Sequence, residues 1–80
     1  MPSMNPEWVL IDELLKLTRY WNAYDLVGKE DQKRITEIGR ELDKMGGYDL
    51  MLYAYRTVKS ANRYVTAIQA YWDGIGAWKW

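Results

Sequence analysis

Residues 35–51 read Ile35-Thr36-Glu37-Ile38-Gly39-Arg40-Glu41-Leu42-Asp43-Lys44-Met45-Gly46-Gly47-Tyr48-Asp49-Leu50-Met51, and the spacing of their apolar members decides the fold. Ile35, Ile38, Leu42 and Met45 recur at steps of three and four, which places them on one face of an α-helix. Lys33, Glu37, Arg40, Glu41 and Lys44 then face away, at spacings that allow ordinary surface pairing. Gly46-Gly47 ends this helix by supplying a left-handed residue without steric penalty. Asp49 caps the next helix, in which Leu50, Met51, Ala54, Tyr55 and Val58 share one face. Gly39 lies inside the first helix beside its apolar stripe, where glycine costs up to about 1 kcal/mol relative to alanine. Close approach of another helix or of an aromatic ring is the gain expected to offset that cost, with a ligand contact as the alternative.

Upstream, Asn5-Pro6-Glu7 is a helix start: asparagine accepts from free amides and proline needs no donor in the first turn. The first helix is expected over about 6–24. Its apolar residues Trp8, Leu10, Ile11, Leu14, Leu15, Leu17, Trp21 and Tyr24 spread over about 200° of the wheel, wider than one contact face needs. That width predicts burial on two sides, either centrally within the chain or through a homodimer contact. Residues 25–31, with Gly28 and four charged side chains, suit a solvated connection, and Glu30 and Asp31 fall at the positive end of the helix expected over 30–45.

Downstream, helices are expected over 49–59 and 62–73, with a break near Ser60 to Asn62 and with Tyr64, Val65, Ile68, Tyr71 and Trp72 on one stripe of the last. Gly74 stops that helix, leaving the tail 74–80. No segment alternates with period two. The whole reads as an all-α, compact bundle of three to four short helices in a single domain, residues 1–80, packed around Trp8, Leu14, Trp21, Ile38, Leu42, Met51, Val58, Ile68 and Trp72.

Composition narrows the chemistry. The 80 residues include five tryptophans and seven tyrosines but no histidine, cysteine or phenylalanine. Without cysteine there is no disulfide framework and no thiolate nucleophile. Without histidine the commonest metal ligand and neutral-pH proton carrier is missing. Glu37 and Glu41 lie four apart on one helix face, but their basic neighbours favour surface pairing over a metal or a substrate. No enzyme, cofactor or metal site is expected. The longest apolar run without tyrosine, Trp8 to Ile11, is far too short to span a bilayer, and no secretory signal precedes it. A soluble, cytoplasmic protein is expected, with Met1 to Met4 as a short lead and no membrane partner.

Net charge is zero but unevenly spread: residues 1–32 hold three basic against six acidic side chains, residues 33–63 seven against four. Arg56, Lys59 and Arg63, with Lys33, Arg34, Arg40 and Lys44 upstream, can line a positive face, so a nucleic-acid-binding regulator using Arg56, Lys59 and Arg63 is one reading. The acids Glu37, Glu41, Asp43 and Asp49 dilute that field, and the double-glycine segment is longer than the turn of a helix-turn-helix motif. In the tail, Ile75 and Trp78 either seal the open end of the bundle, with Asp73 bonding nearby amides, or Trp78 and Trp80 anchor a partner.

The pattern Ile35-x-x-Ile38-Gly39-x-x-Leu42, Gly46-Gly47-x-x-Leu50-Met51, a later Val58, and Trp72-Asp73-Gly74-Ile75-Gly76-x-Trp78 resembles one in small bacterial and phage-type helical proteins of no assigned activity. The resemblance covers residues 35–80. It implies one compact helical unit and brings no functional residues with it. Inhibitors, adaptors or regulators that act by binding are the kinds of protein expected at this size.

The reading that fits these features best is a small non-enzymatic protein that binds another protein. Its candidate contact residues are Leu52, Tyr53, Arg56 and Lys59 on the outer side of the third helix, with Trp80 in the tail. Tyrosine, tryptophan and arginine supply most energetic anchors of interfaces. The alternatives are the nucleic-acid-binding regulator and a self-associating structural protein that pairs through the wide face of the first helix.

Overall fold

A computed structural model describes residues 5–22 and 27–80. They form α1 (Pro6–Thr18), α2 (Lys29–Ala61) and α3 (Ala67–Trp72), with no strand among the described residues. The all-α class follows from the three-and-four spacing of the apolar side chains, and one buried cluster joins all three helices.

Asn5 is the residue before α1, in extended conformation with Pro6 at the first helical position. Its side chain makes no capping bond. Instead its carbonyl accepts from the amides of Trp8 and Val9 at 2.9 and 3.1 Å. The helix ends at Thr18, not near residue 24. The Thr18 hydroxyl donates to the Leu14 carbonyl at 2.9 Å, and Asn62 reaches across from the end of α2 to donate through Nδ2 to the carbonyls of Thr18 and Trp21 at 3.0 and 2.9 Å. A distant residue thus satisfies the carbonyls that a longer helix would have bonded itself. The expected helical place of Tyr24, and the lead Met1 to Met4, lie outside the described residues.

As a straight rod the 33 residues of α2 would run about 50 Å, yet the longest dimension of the molecule is 37 Å. The bend is at Gly47, with φ 67° and ψ −157°. This is not the left-handed helical conformation expected of the glycine pair. It is a positive-φ extended one that is essentially restricted to glycine. The two helices expected over 30–45 and 49–59 are therefore the two limbs of α2, residues 29–46 and 48–61. Asp49 lies in the first turn of the second limb instead of preceding it.

Ile35, Ile38 and Leu42 of the first limb are fully buried, as are Met51, Ala54 and Val58 of the second, with Tyr55 nearly so. Met45, next to the bend, is 47% exposed and leaves the predicted stripe.

Asn62 stops α2. Its backbone is extended, its amide bonds the Val58 carbonyl, and its side-chain oxygen accepts from the Tyr64 amide at 2.9 Å. The turn this creates shortens the expected helix 62–73 to Ala67–Trp72, and Tyr64 stands outside it on the surface. Val65, Ile68 and Trp72 still point into the core.

The Trp72 indole crosses α2 at Gly39. A Cβ there would lie 2.5 Å from Trp72 Nε1, and the indole donates to the Ile35 carbonyl at 2.9 Å. Gly39 thus serves the close approach of a ring.

Beyond α3 the tail curls back, with the Gly74 amide donating to the Trp78 carbonyl and the Trp78 amide to that of Ile75, both at 2.9 Å. Trp78 is 3% exposed and meets Trp72, Tyr55 and Tyr48 at centroid distances of 5.2, 5.8 and 5.5 Å. It is core. Trp8 is not: at 37% exposure it stands outside the cluster in which the sequence placed it.

Candidate interaction surface

On the second limb of α2, burial of Met51, Ala54, Tyr55 and Val58 fixes which side faces out. At 100° per residue the arc centred opposite those four carries Leu52, Tyr53, Arg56 and Lys59. Tyr53 is 51% exposed, and Arg56 and Lys59 are exposed beside it. Leu52 differs from expectation in being half-buried and packed against the core, so it supports the surface from beneath its edge.

Trp8 completes the arrangement. Its indole, from the first turn of α1, meets the Tyr53 ring edge-on at 6.0 Å and 89°. Two helices thereby present one aromatic shelf, a geometry favoured by the ring quadrupoles. The sequence signal for Trp8 was its angle: it sits about 100° from the centre of the face formed by Leu10, Ile11, Leu14 and Thr18, at the margin where burial gives way to exposure.

The basic residues separate into groups. Arg34 does not join a positive face. Its guanidinium grips Glu13 of α1 in a two-point pair, Nη2 to Oε1 at 2.7 Å and Nε to Oε2 at 2.5 Å, and also reaches Glu37 at 3.3 Å and Glu41 at 3.8 Å. The hydrogen bonds from Arg34 hold the Glu13 carboxyl below its ordinary pKa, and those same bonds raise Arg34 above its own. This pair fastens α1 to α2, and it engages the two glutamates that had suggested a metal or substrate site. Arg40 and Lys44 line an open cleft of about 340 Å³ between the first limb and the tail, where Asp43 and Asp73 offset them. Lys33 is exposed on the first limb.

Arg56, Lys59 and Arg63 remain. From Leu50 through Trp72 the chain has these three cations and no acid. Among the described residues the ion pairs fall on Lys16 and Arg34, not on these three. Lys59 Nζ lies 5.9 Å from the centre of the Tyr55 ring, and Arg63 lies 4.9 Å from that of Tyr64 while donating to its hydroxyl at 2.8 Å. Rings thus hold two of the three cations without neutralising them.

Trp80 is 71% exposed, and its amide donates to Asp73 Oδ1 at 3.0 Å. Among the described residues no ring contact or hydrogen bond joins it to Tyr53 or Arg56, so it stands apart from the shelf.

Among the described residues no group of three or more acidic side chains is placed to hold a metal ion, and no helix is long and apolar enough to cross a membrane. No protein-family model matches the chain, and no curated protein or solved structure does so.

Proposed function

We propose that this is a small non-enzymatic binding protein, an adaptor, inhibitor or regulator that works by protein contact through the outer face of the second limb of α2. The observation that carries this reading is the shelf of Trp8 and Tyr53, contributed by two helices, half-exposed and flanked by the unneutralised Arg56. Aromatic rings beside an arginine are the composition of interface anchors. Engagement of Glu13, Glu37 and Glu41 by Arg34, and of Asp12 by Lys16, supports an assignment without catalysis, since these carboxylates are committed to structure. In this reading Trp80 is a separate minor contact, and the cysteine-free chain works in the cytoplasm.

Capture from a cell lysate tests the reading. The wild-type chain is expected to retain a specific partner that Tyr53→Ala/Arg56→Ala loses, while the melting temperature stays within about 4 °C, as for exposed sites. Equal retention by both forms contradicts the reading. Exposed Trp8 and Val9 on α1 favour self-association as a second reading, and a solution mass that doubles with concentration and reverts in Trp8→Ala would select it.

A further inference from the structure

Resting on that reading, we infer that the occupant of this surface is an acidic segment of a partner protein, with an aromatic or aliphatic anchor on the Trp8–Tyr53 shelf and carboxylates along Arg56, Lys59 and Arg63. Charge complementarity specifies it. The first limb of α2 interleaves its cations with acids, whereas beyond Asp49 the chain from Leu50 to Trp72 carries three cations and no acid.

The order along the surface gives the segment a direction. Tyr53, Arg56 and Lys59 follow one another at steps of three, each step about 4.5 Å of helix rise, and Arg63 lies just past the helix end at Ala61. The aromatic shelf is at one end of this line and the cations extend from it. The contact of Lys59 with Tyr55 and of Arg63 with Tyr64 restrains both side chains before a partner arrives, which lowers the ordering cost of binding.

Nucleic acid is the competing polyanion. Three cations beside a half-exposed indole and phenol make a short contact with an apolar end, whereas tight duplex binding draws on about six to ten phosphate contacts. The shelf gives an apolar anchor a place to dock that a phosphate backbone would leave unused.

The test pans a displayed library of random peptides, about 12 residues long, against the full chain in about 50 mM salt, where charge pairing is weakly screened, with duplex DNA assayed in parallel. The expected selection is enriched in Asp and Glu around one aromatic or leucine residue. A selected peptide should bind about tenfold or more weaker to Arg56→Glu/Lys59→Glu and to Tyr53→Ala, and should weaken by about tenfold between 50 and 300 mM salt. Circular dichroism of both variants checks that they stay folded.

Selection of neutral or basic peptides, recovery of none, affinity untouched by the charge reversal, or tighter binding of the DNA than of the best peptide would each overturn the inference. A captured partner that depends on Tyr53 but ignores salt and charge reversal would overturn it too, while leaving the proposed function standing.

Discussion

A methyl group added at Gly39 would lie 2.5 Å from Nε1 and 2.6 Å from Cδ1 of Trp72, closer than a Cβ comes to a non-bonded heavy atom without movement. The indole cannot yield easily, because it is fully buried and donates to the Ile35 carbonyl one turn earlier on the same helix. Alanine would gain up to about 1 kcal/mol of helix propensity and lose about 1–3 kcal/mol to overpacking. Gly39→Ala is therefore expected to lower the melting temperature by about 5 °C or more. An unchanged or higher value would mean that the ring does not pack there. The close approach was legible in the sequence, since a glycine beside an apolar stripe has to have a reason. Its partner was not, because nothing in the spacing of α3 says which of five tryptophans reaches across. Trp8 shows the converse: it was expected in the core, although its angle on the wheel lies at the margin of the buried face.

At the scale of elements, the class of each helix was legible and its end was not. Periodicity located the buried faces of α1 and of both limbs of α2, because burial of one face is what the spacing encodes. The stop of α1 at Thr18 depends on Asn62, 44 residues away, and no local signal carries that distance. The same side chain shortens α3 by forming the turn before it.

The bend in α2 was legible as a glycine pair, though its backbone shape was not. At φ 67° and ψ −157°, an L-residue at position 47 is strained, whereas the mirror-image residue occupies the counterpart of an ordinary extended conformation. Gly47→Ala is expected to destabilise the chain by about 1–3 kcal/mol. A chemically synthesised chain with D-alanine at 47 should match or exceed the wild type in urea unfolding. If both enantiomers prove equally harmless, α2 is not bent at this residue.

Across the whole molecule, the aromatic residues divide into two sets. Trp72 and Trp78 are buried against each other, with Trp78 also against Tyr55, closing the bundle through a tail that turns back on itself. Trp8 and Tyr53 meet edge-on at the surface, where both stay partly exposed. The sequence left Trp78 undecided, since a short glycine-rich tail has no periodicity from which to read burial. It also left Arg34 within a positive face, because the pairing with Glu13 exists only once α1 packs on α2.

The division into core and contact residues carries the functional proposal, and the unfolding free energy of Trp78→Ala set beside that of Trp8→Ala in urea tests it most directly. The structure predicts a loss of about 3–5 kcal/mol for Trp78→Ala and about 1 kcal/mol or less for Trp8→Ala. Equal losses, or a larger one for Trp8→Ala, would contradict it.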